Sequence, residues 1–131
     1  MLLFPVKPGY IEVESTTIEV YENIGTVNVT LIRLEGADGL IRIKYRTIDG
    51  TAQERIDYVP IAGEVVFNDG ETRKTISLTV IDDDKREPIE SIRLQLFDPS
   101  AADDVINFRS LASRLETTIV IKDNDSKFKF L

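Results

Sequence analysis

The sequence contains no histidine, no cysteine and no tryptophan among its 131 residues. Without histidine, the commonest general base and the commonest transition-metal ligand of proteins are missing. Without cysteine, the chain has no thiol nucleophile, no disulfide and no thiolate zinc site. Oxygen atoms of carboxylates, hydroxyls, amides and carbonyls therefore remain as the groups available for binding chemistry.

Basic residues are outnumbered: 16 lysines and arginines stand against 23 aspartates and glutamates, a formal charge of -7. Excess negative charge repels phosphate backbones and anionic lipid headgroups, so nucleic acids and direct membrane insertion are disfavoured as partners. No stretch approaches the ~20 apolar residues that a membrane-spanning helix needs. Cations are the partners that this charge favours.

Long helical periodicity is also missing, and apolar residues instead alternate with polar ones, as in Val27, Val29 and Leu31. Turn formers such as Asn68-Asp69-Gly70 and Asp98-Pro99-Ser100 separate the alternating segments. The first predicted strand ends near residue 21, and a further short piece at residues 10–13 can precede it. The other six predicted strands span residues 26–34, 40–48, 63–67, 74–81, 91–97 and 117–122. This pattern predicts one all-β domain, a seven-stranded antiparallel immunoglobulin-like β-sandwich.

If successive strands reverse direction, the first, third, fifth and seventh strands finish at the same end of the sandwich. The segments that follow them, residues 22–25, 49–57, 82–90 and 123–127, hold eleven acids and four bases. Their excess of seven negative charges equals that of the whole chain, so we call this end the acidic pole. Its acids are Glu22, Asp49, Glu54, Asp57, Asp82, Asp83, Asp84, Glu87, Glu90, Asp123 and Asp125.

Carboxylates gathered within a Debye length repel one another and favour a bound counter-charge. Calcium takes 6 to 8 oxygen ligands in flexible geometry, whereas magnesium requires a tighter octahedron, so loop carboxylates suit calcium better. The alternative is that the Asp82-Asp83-Asp84 run and its neighbours form a solvated corner, because aspartate is common in turns. The sequence predicts a calcium site and leaves that alternative open.

Several motifs follow one another along the chain. They are the opening residues 20–26, then Asp49-Gly50-Thr51-Ala52, Asp57-Tyr58, residues 63–72, Asp82-Asp83-Asp84 and the closing residues 119–125. In this order they resemble the Calx-beta domain. The resemblance runs from residue 9 to residue 125, so residues 1–8 and 126–131 are expected to be linker segments. It implies an immunoglobulin-like sandwich with short AB, CD and EF loops, those that follow the first, third and fifth predicted strands, gathered at one end.

In calcium-binding members of that family the ions lie at this end. The resemblance implies the following metal ligands here: Glu22, Asp49, Asp82, Asp83, Asp84, Glu87, Glu90, Asp123, Asn124 and Asp125. Asn124 replaces an aspartate that is usual in strong binders, and Arg55 stands where glycine is frequent. Both departures predict weaker binding, in the range of about 10⁻⁶ to 10⁻³ M. We expect Tyr58 to be a core or corner residue whose hydroxyl bonds to backbone.

The leading hypothesis is a non-enzymatic calcium-binding module of a larger cell-surface adhesion receptor or matrix protein. Its ions would stiffen the acidic pole and the junction with a neighbouring domain of the same chain, and its location would be extracellular. One alternative is a calcium sensor on the cytosolic face of a membrane transporter, and another is a metal-free structural spacer. No acid and base pair suited to catalysis can be named, so an enzyme is not expected.

Overall fold

The fold is described by a computed structural model over residues 5–82, 88–106 and 108–123. Within these residues the chain forms eight strands in two sheets. In chain order they are β1 (Tyr10–Val13), β2 (Thr17–Tyr21), β3 (Thr26–Leu34), β4 (Ile41–Asp49), β5 (Ala62–Phe67), β6 (Arg73–Thr79), β7 (Glu90–Ala101) and β8 (Glu116–Lys122). The all-β prediction is confirmed, with most strand bounds within one or two residues.

One sheet has the order β1-β3-β6 and the other the order β2-β8-β7-β4-β5. The short piece at residues 10–13 is a strand of its own, β1, because residues 14–16 carry the chain from one sheet to the other. Thr117 Oγ1 donates to Ser15 O at 2.7 Å across this crossing. The predicted count of seven strands was therefore low by one in the described part of the chain. The prediction of a wholly antiparallel fold was also wrong, since β2 and β8 pair in parallel.

The core lies between the sheets and is built from alternate residues of their strands, as the alternation predicted. Val27, Val29 and Leu31 of β3 are 3%, 1% and 0% exposed. They belong to the same buried cluster as Ile92 and Leu94 of β7, which lie in the other sheet. Each such side chain contributes about 1.5–3 kcal/mol when it is removed from water.

Strand β7 runs through Asp98-Pro99-Ser100, where the sequence predicted a turn. The pairing with β4 shifts register between Arg42 and Lys44, so two residues of β7 oppose one of β4. Asp98 takes a positive φ of 49° at this β-bulge. The bulge accommodates the proline, and the strand continues to Ala101.

Opposite the acidic pole, a buried arginine ties three segments together. Arg33 is 4% exposed, although it lies in the inward position that follows Leu31 in β3. Its guanidinium donates to four main-chain carbonyls, those of Pro8 (2.7 Å), Asn68 (3.2 Å), Asp38 (2.8 Å) and Gly39 (2.9 Å). These bonds hold the entering chain and the two nearest loops together.

A buried glutamate fixes the irregular segment between β7 and β8, residues 102–115. Glu12 of β1 is 6% exposed, and its Oε2 accepts bonds from Ser113 N (2.8 Å), Ser113 Oγ (3.3 Å) and Arg114 N (3.0 Å). Burial raises the pKa of Glu12, but these bonds outweigh it, so the pKa lies below its ordinary value. The described residues of this segment contain turns but no helix.

Candidate functional site

Strand register brings the predicted site segments to one end of the sandwich. Tyr21 at the end of β2 pairs with Lys122 at the end of β8, and the start of β7 lies beside them, with Glu90 opposite Ile121. At the end of β4, Asp49 pairs with Ile92 of β7. The described residues of the acidic pole thus sit where four strands end or begin.

Main-chain hydrogen bonds between the segments support this grouping. Val80 N donates to Gly25 O at 2.9 Å, which joins the end of β6 to the loop after β2. Ile81 N donates to Asp57 O at 2.9 Å, which joins it to the loop between β4 and β5. Three segments that are far apart in sequence are therefore in direct contact.

Asp49 is fixed by two hydrogen bonds at the end of β4. Its Oδ1 accepts from Tyr58 Oη at 2.5 Å and from Glu54 N at 3.1 Å. Burial, and then the bond to Asp49, raise the pKa of Tyr58 well above its ordinary value. Tyr58 is fully buried, as expected, but its hydroxyl bonds to a predicted ligand and not to backbone.

Asp57 has a structural role in the same loop. It is 8% exposed, and its Oδ2 accepts from Gln53 N at 2.8 Å, while Asp57 N donates to Gln53 O at 2.9 Å. Arg55 lies at the tip between them with a positive φ of 69°, a conformation that glycine adopts without strain. Arg55, which stands where glycine is frequent in the family, therefore holds a backbone conformation that costs this loop more than it would cost with glycine.

Glu22 opens a 3-10 turn, Glu22–Ile24, that links β2 to Gly25, whose φ is 78°. It is 3% exposed, and Glu22, Glu90 and Asp123 all interact with other groups of the chain. Asp82 is exposed just after the Val80 and Ile81 bonds. A carboxylate as deeply buried as Glu22 requires compensating contacts, which the end of a strand and a tight turn can supply.

Half of the predicted ligands can be placed. Glu22, Asp49, Asp82, Glu90 and Asp123 are all at the acidic pole, whereas Asp83, Asp84, Glu87, Asn124 and Asp125 lie outside the described residues. Among residues 5–82, 88–106 and 108–123, no three acidic side chains form a group that could hold a metal ion. A complete site would need ligands from residues 83–87 or 124–125, and the full ligand set stays a prediction.

Two facing sheets with acid-bearing loops at one end define this chain as a β-sandwich module. A sequence model of the Calx-beta domain matches residues 6–125. The chain belongs to the Calx-beta domain family, which confirms the resemblance found in the motifs.

Two curated relatives are sodium/calcium exchangers. Sodium/calcium exchanger 2 of Rattus norvegicus is 36% identical over 92 residues, covering 70% of this chain and 10% of the exchanger. Sodium/calcium exchanger 1 of Mus musculus is 34% identical over 124 residues, covering 86% and 13%. The chain thus spans about a tenth of the length of these relatives. In its described residues, no helix is long and apolar enough to cross a bilayer.

Solved structures give the same assignment. The apo-form Calx CBD1 domain superposes with a TM-score of 0.79 at 29% identity, covering 88% of this chain and 97% of that one. The calcium binding domain CBD12 of CALX1.1 superposes with a TM-score of 0.78 at 30% identity, covering 88% and 44%. These relatives fit the cytosolic transporter alternative better than the adhesion-receptor hypothesis.

Proposed function

We propose that this chain is a non-catalytic, calcium-binding regulatory module of a larger membrane protein, acting on the cytosolic face of a transporter. The observation that carries the proposal is the convergence of Glu22, Asp49, Asp82, Glu90 and Asp123 at one end of the sandwich. The similarity to sodium/calcium exchangers and to the calcium binding domain CBD12 of CALX1.1 supports it. The remaining proposed ligands are Asp83, Asp84, Glu87, Asn124 and Asp125.

Calcium would act by linking the loops at the acidic pole. Asp49 and the acids after β6 would hold the ion, which would neutralise their repulsion and fix their relative positions. Because β8 ends at this pole with Lys122, an ion bound there would lie near the end of the last strand of the described residues. Binding would therefore stiffen the junction with a neighbouring domain, which is how the module would signal.

A calcium titration followed by thermal unfolding tests the proposal. At a calcium concentration 100 times the Kd, linkage stabilises the folded state by about 2.7 kcal/mol. For 131 residues this raises the Tm by about 10 °C. Asp83→Asn and Asp49→Asn should remove most of the shift, whereas Asp104→Asn, an exposed acid between β7 and β8, should keep it.

The calcium concentration at half-effect separates the sensor from an extracellular module, since about 10⁻⁷–10⁻⁵ M is typical of sensors and about 10⁻⁴–10⁻³ M of extracellular modules. A Tm that does not move at ~10 mM calcium, ten times the upper end of that range, would refute calcium binding. The metal-free spacer would then be the better account.

A further inference from the structure

Tyr58 connects a proposed calcium ligand to a second segment of the acidic pole. Its side chain is 0% exposed, and its hydroxyl donates to Asp49 Oδ1 at the end of β4. Its main chain forms an isolated antiparallel bridge with Val80, just after β6. One residue thus contacts Asp49 through its side chain and the strand leading to Asp82 through its backbone.

The neighbours of Tyr58 strengthen the second contact. Asp57 O accepts from Ile81 N at 2.9 Å, and Val59 N donates to Thr79 O at 3.0 Å. Residues 57–59 therefore lie alongside residues 79–81 as a short antiparallel pair. A shift of Tyr58 would move the segment from which Asp82 emerges.

The Tyr58 hydroxyl is not needed for packing the ring in the core; what it adds is the hydrogen bond to Asp49. Phenylalanine would fill the same space in the core, but it would remove the hydroxyl donor to Asp49 Oδ1 and keep the Glu54 N–H donor. A hydrogen bond to a carboxylate is stronger than one between neutral groups and restricts the carboxylate's orientation. Within the part of the chain that the structure describes, both bonds to the Asp49 carboxylate end on Oδ1, which leaves Oδ2 for a cation.

We propose that Tyr58 is the positioning residue that orients Asp49 for calcium and couples ion binding there to residues 79–82. The inference rests on the proposed function and deepens it. With Oδ1 held by the Tyr58 hydroxyl, Asp49 would meet the ion in one orientation. The bound ion would screen the carboxylate charge beside the tyrosine and, by restraining Asp49, would restrain residues 57–59 against residues 79–81. Loss of hydrogen-bonding partners behind a metal ligand typically costs about 10- to 100-fold in metal affinity.

The absence of tryptophan gives this proposal a direct readout. The chain has four tyrosines and no tryptophan, so its near-ultraviolet emission comes from tyrosine, and a hydrogen bond to a carboxylate quenches that emission. Calcium should raise the tyrosine emission of the wild-type chain, with a midpoint equal to the Kd measured by calorimetry. Tyr58→Phe should lose this rise and bind calcium about 10- to 100-fold more weakly.

Tyr45→Phe is the matched control, because Tyr45 is a partly buried tyrosine of β4 whose hydroxyl lies against Gly63. It should keep both the emission change and the affinity. A second variant, Asp49→Asn, keeps an acceptor for the hydroxyl but removes the charge. Its calcium-free emission should match that of the calcium-loaded wild type.

Amide hydrogen exchange measures the coupling itself. Calcium should slow exchange at Val80 and Ile81 in the wild type and leave it unchanged in Tyr58→Phe at calcium concentrations that saturate both. Wild-type affinity in Tyr58→Phe, or calcium-free emission of Asp49→Asn equal to that of the calcium-free wild type, overturns the proposal and leaves calcium binding intact. No calorimetric binding to the wild type overturns both.

Discussion

Replacing Glu12 with glutamine tests whether this buried carboxylate fixes the segment between β7 and β8. Glutamine keeps the shape and one acceptor oxygen but removes the charge. The two main-chain bonds from Ser113 and Arg114 would change from charge-assisted bonds to neutral ones. Each such change costs about 1 kcal/mol, so we expect Glu12→Gln to destabilise the fold by about 2 kcal/mol.

For 131 residues the unfolding entropy is about 0.28 kcal/mol/K, so the Tm should fall by about 7 °C. Glu14→Gln is the matched control on the same edge of the sheet. Glu14 also pairs with a cation, Arg73, at 2.6 Å, but both side chains are exposed. Exposed pairs contribute about 0–1 kcal/mol, so the control should change the Tm by about 4 °C at most.

The pH dependence gives a second test of Glu12. Its pKa is lower in the folded state than in the unfolded chain, so its contribution to stability is present above the unfolded pKa, about 4.3. This contribution is lost as the pH falls through the lower, folded pKa. The stability difference between wild type and Glu12→Gln should therefore be full at pH 6 and shrink below pH ~4.

Urea unfolding of both proteins between pH 7 and pH 3 measures this difference, and hydrogen exchange at Ser113 and Arg114 localises it. Equal stabilities at pH 7, or a difference that stays constant down to pH 3, would show that the bonds to Glu12 do not stabilise the fold.

Three further substitutions have expected outcomes. Arg33→Met should destabilise the protein by about 3–5 kcal/mol in urea unfolding, because four carbonyls lose their donor; a loss below ~1 kcal/mol would contradict that role. Gly50→Ala places a Cβ 2.5 Å from Ser91 O and should push β4 away from β7. The free energy of unfolding should fall by about 1–3 kcal/mol, and an unchanged Tm would refute the close approach. Arg55→Gly replaces a residue with a positive φ and removes a cation from the acidic pole. Calorimetry should therefore show tighter calcium binding, with a free energy of unfolding within about 1 kcal/mol of wild type. Weaker binding would contradict this expectation.

Strand positions were predictable because alternate residues of each strand must be apolar to fill the core. Val27, Val29 and Leu31 alternate with polar residues because one face of β3 is buried. This alternation does not depend on the conformation of the loops. The same alternation places Arg33 inward, a signal that could have identified it as a buried cation. Its four carbonyl partners come from three separate segments, so no local pattern could have named them.

Loop geometry was less predictable because it depends on contacts between distant residues. Asp98-Pro99-Ser100 has the composition of a turn, yet pairing with β4 keeps it in a strand through a bulge. The predicted alternation of strand directions put Asp49 at the acidic pole, where the structure has it. The bond from Tyr58, by contrast, joins residues nine positions apart through a loop, so strand directions do not predict it. Its only sequence signal was a tyrosine following an aspartate, which is also typical of ordinary core tyrosines.

The parallel pairing of β2 with β8 determines how the domain would carry mechanical load. The chain enters β1 beside Arg33, and β2 and β8 both run toward the acidic pole, so the two ends of the domain lie at opposite ends of the sandwich. Tension along the chain would pull these neighbouring strands in opposite directions. Five paired positions, from Thr17 with Thr118 to Tyr21 with Lys122, would then be sheared together and not opened one at a time.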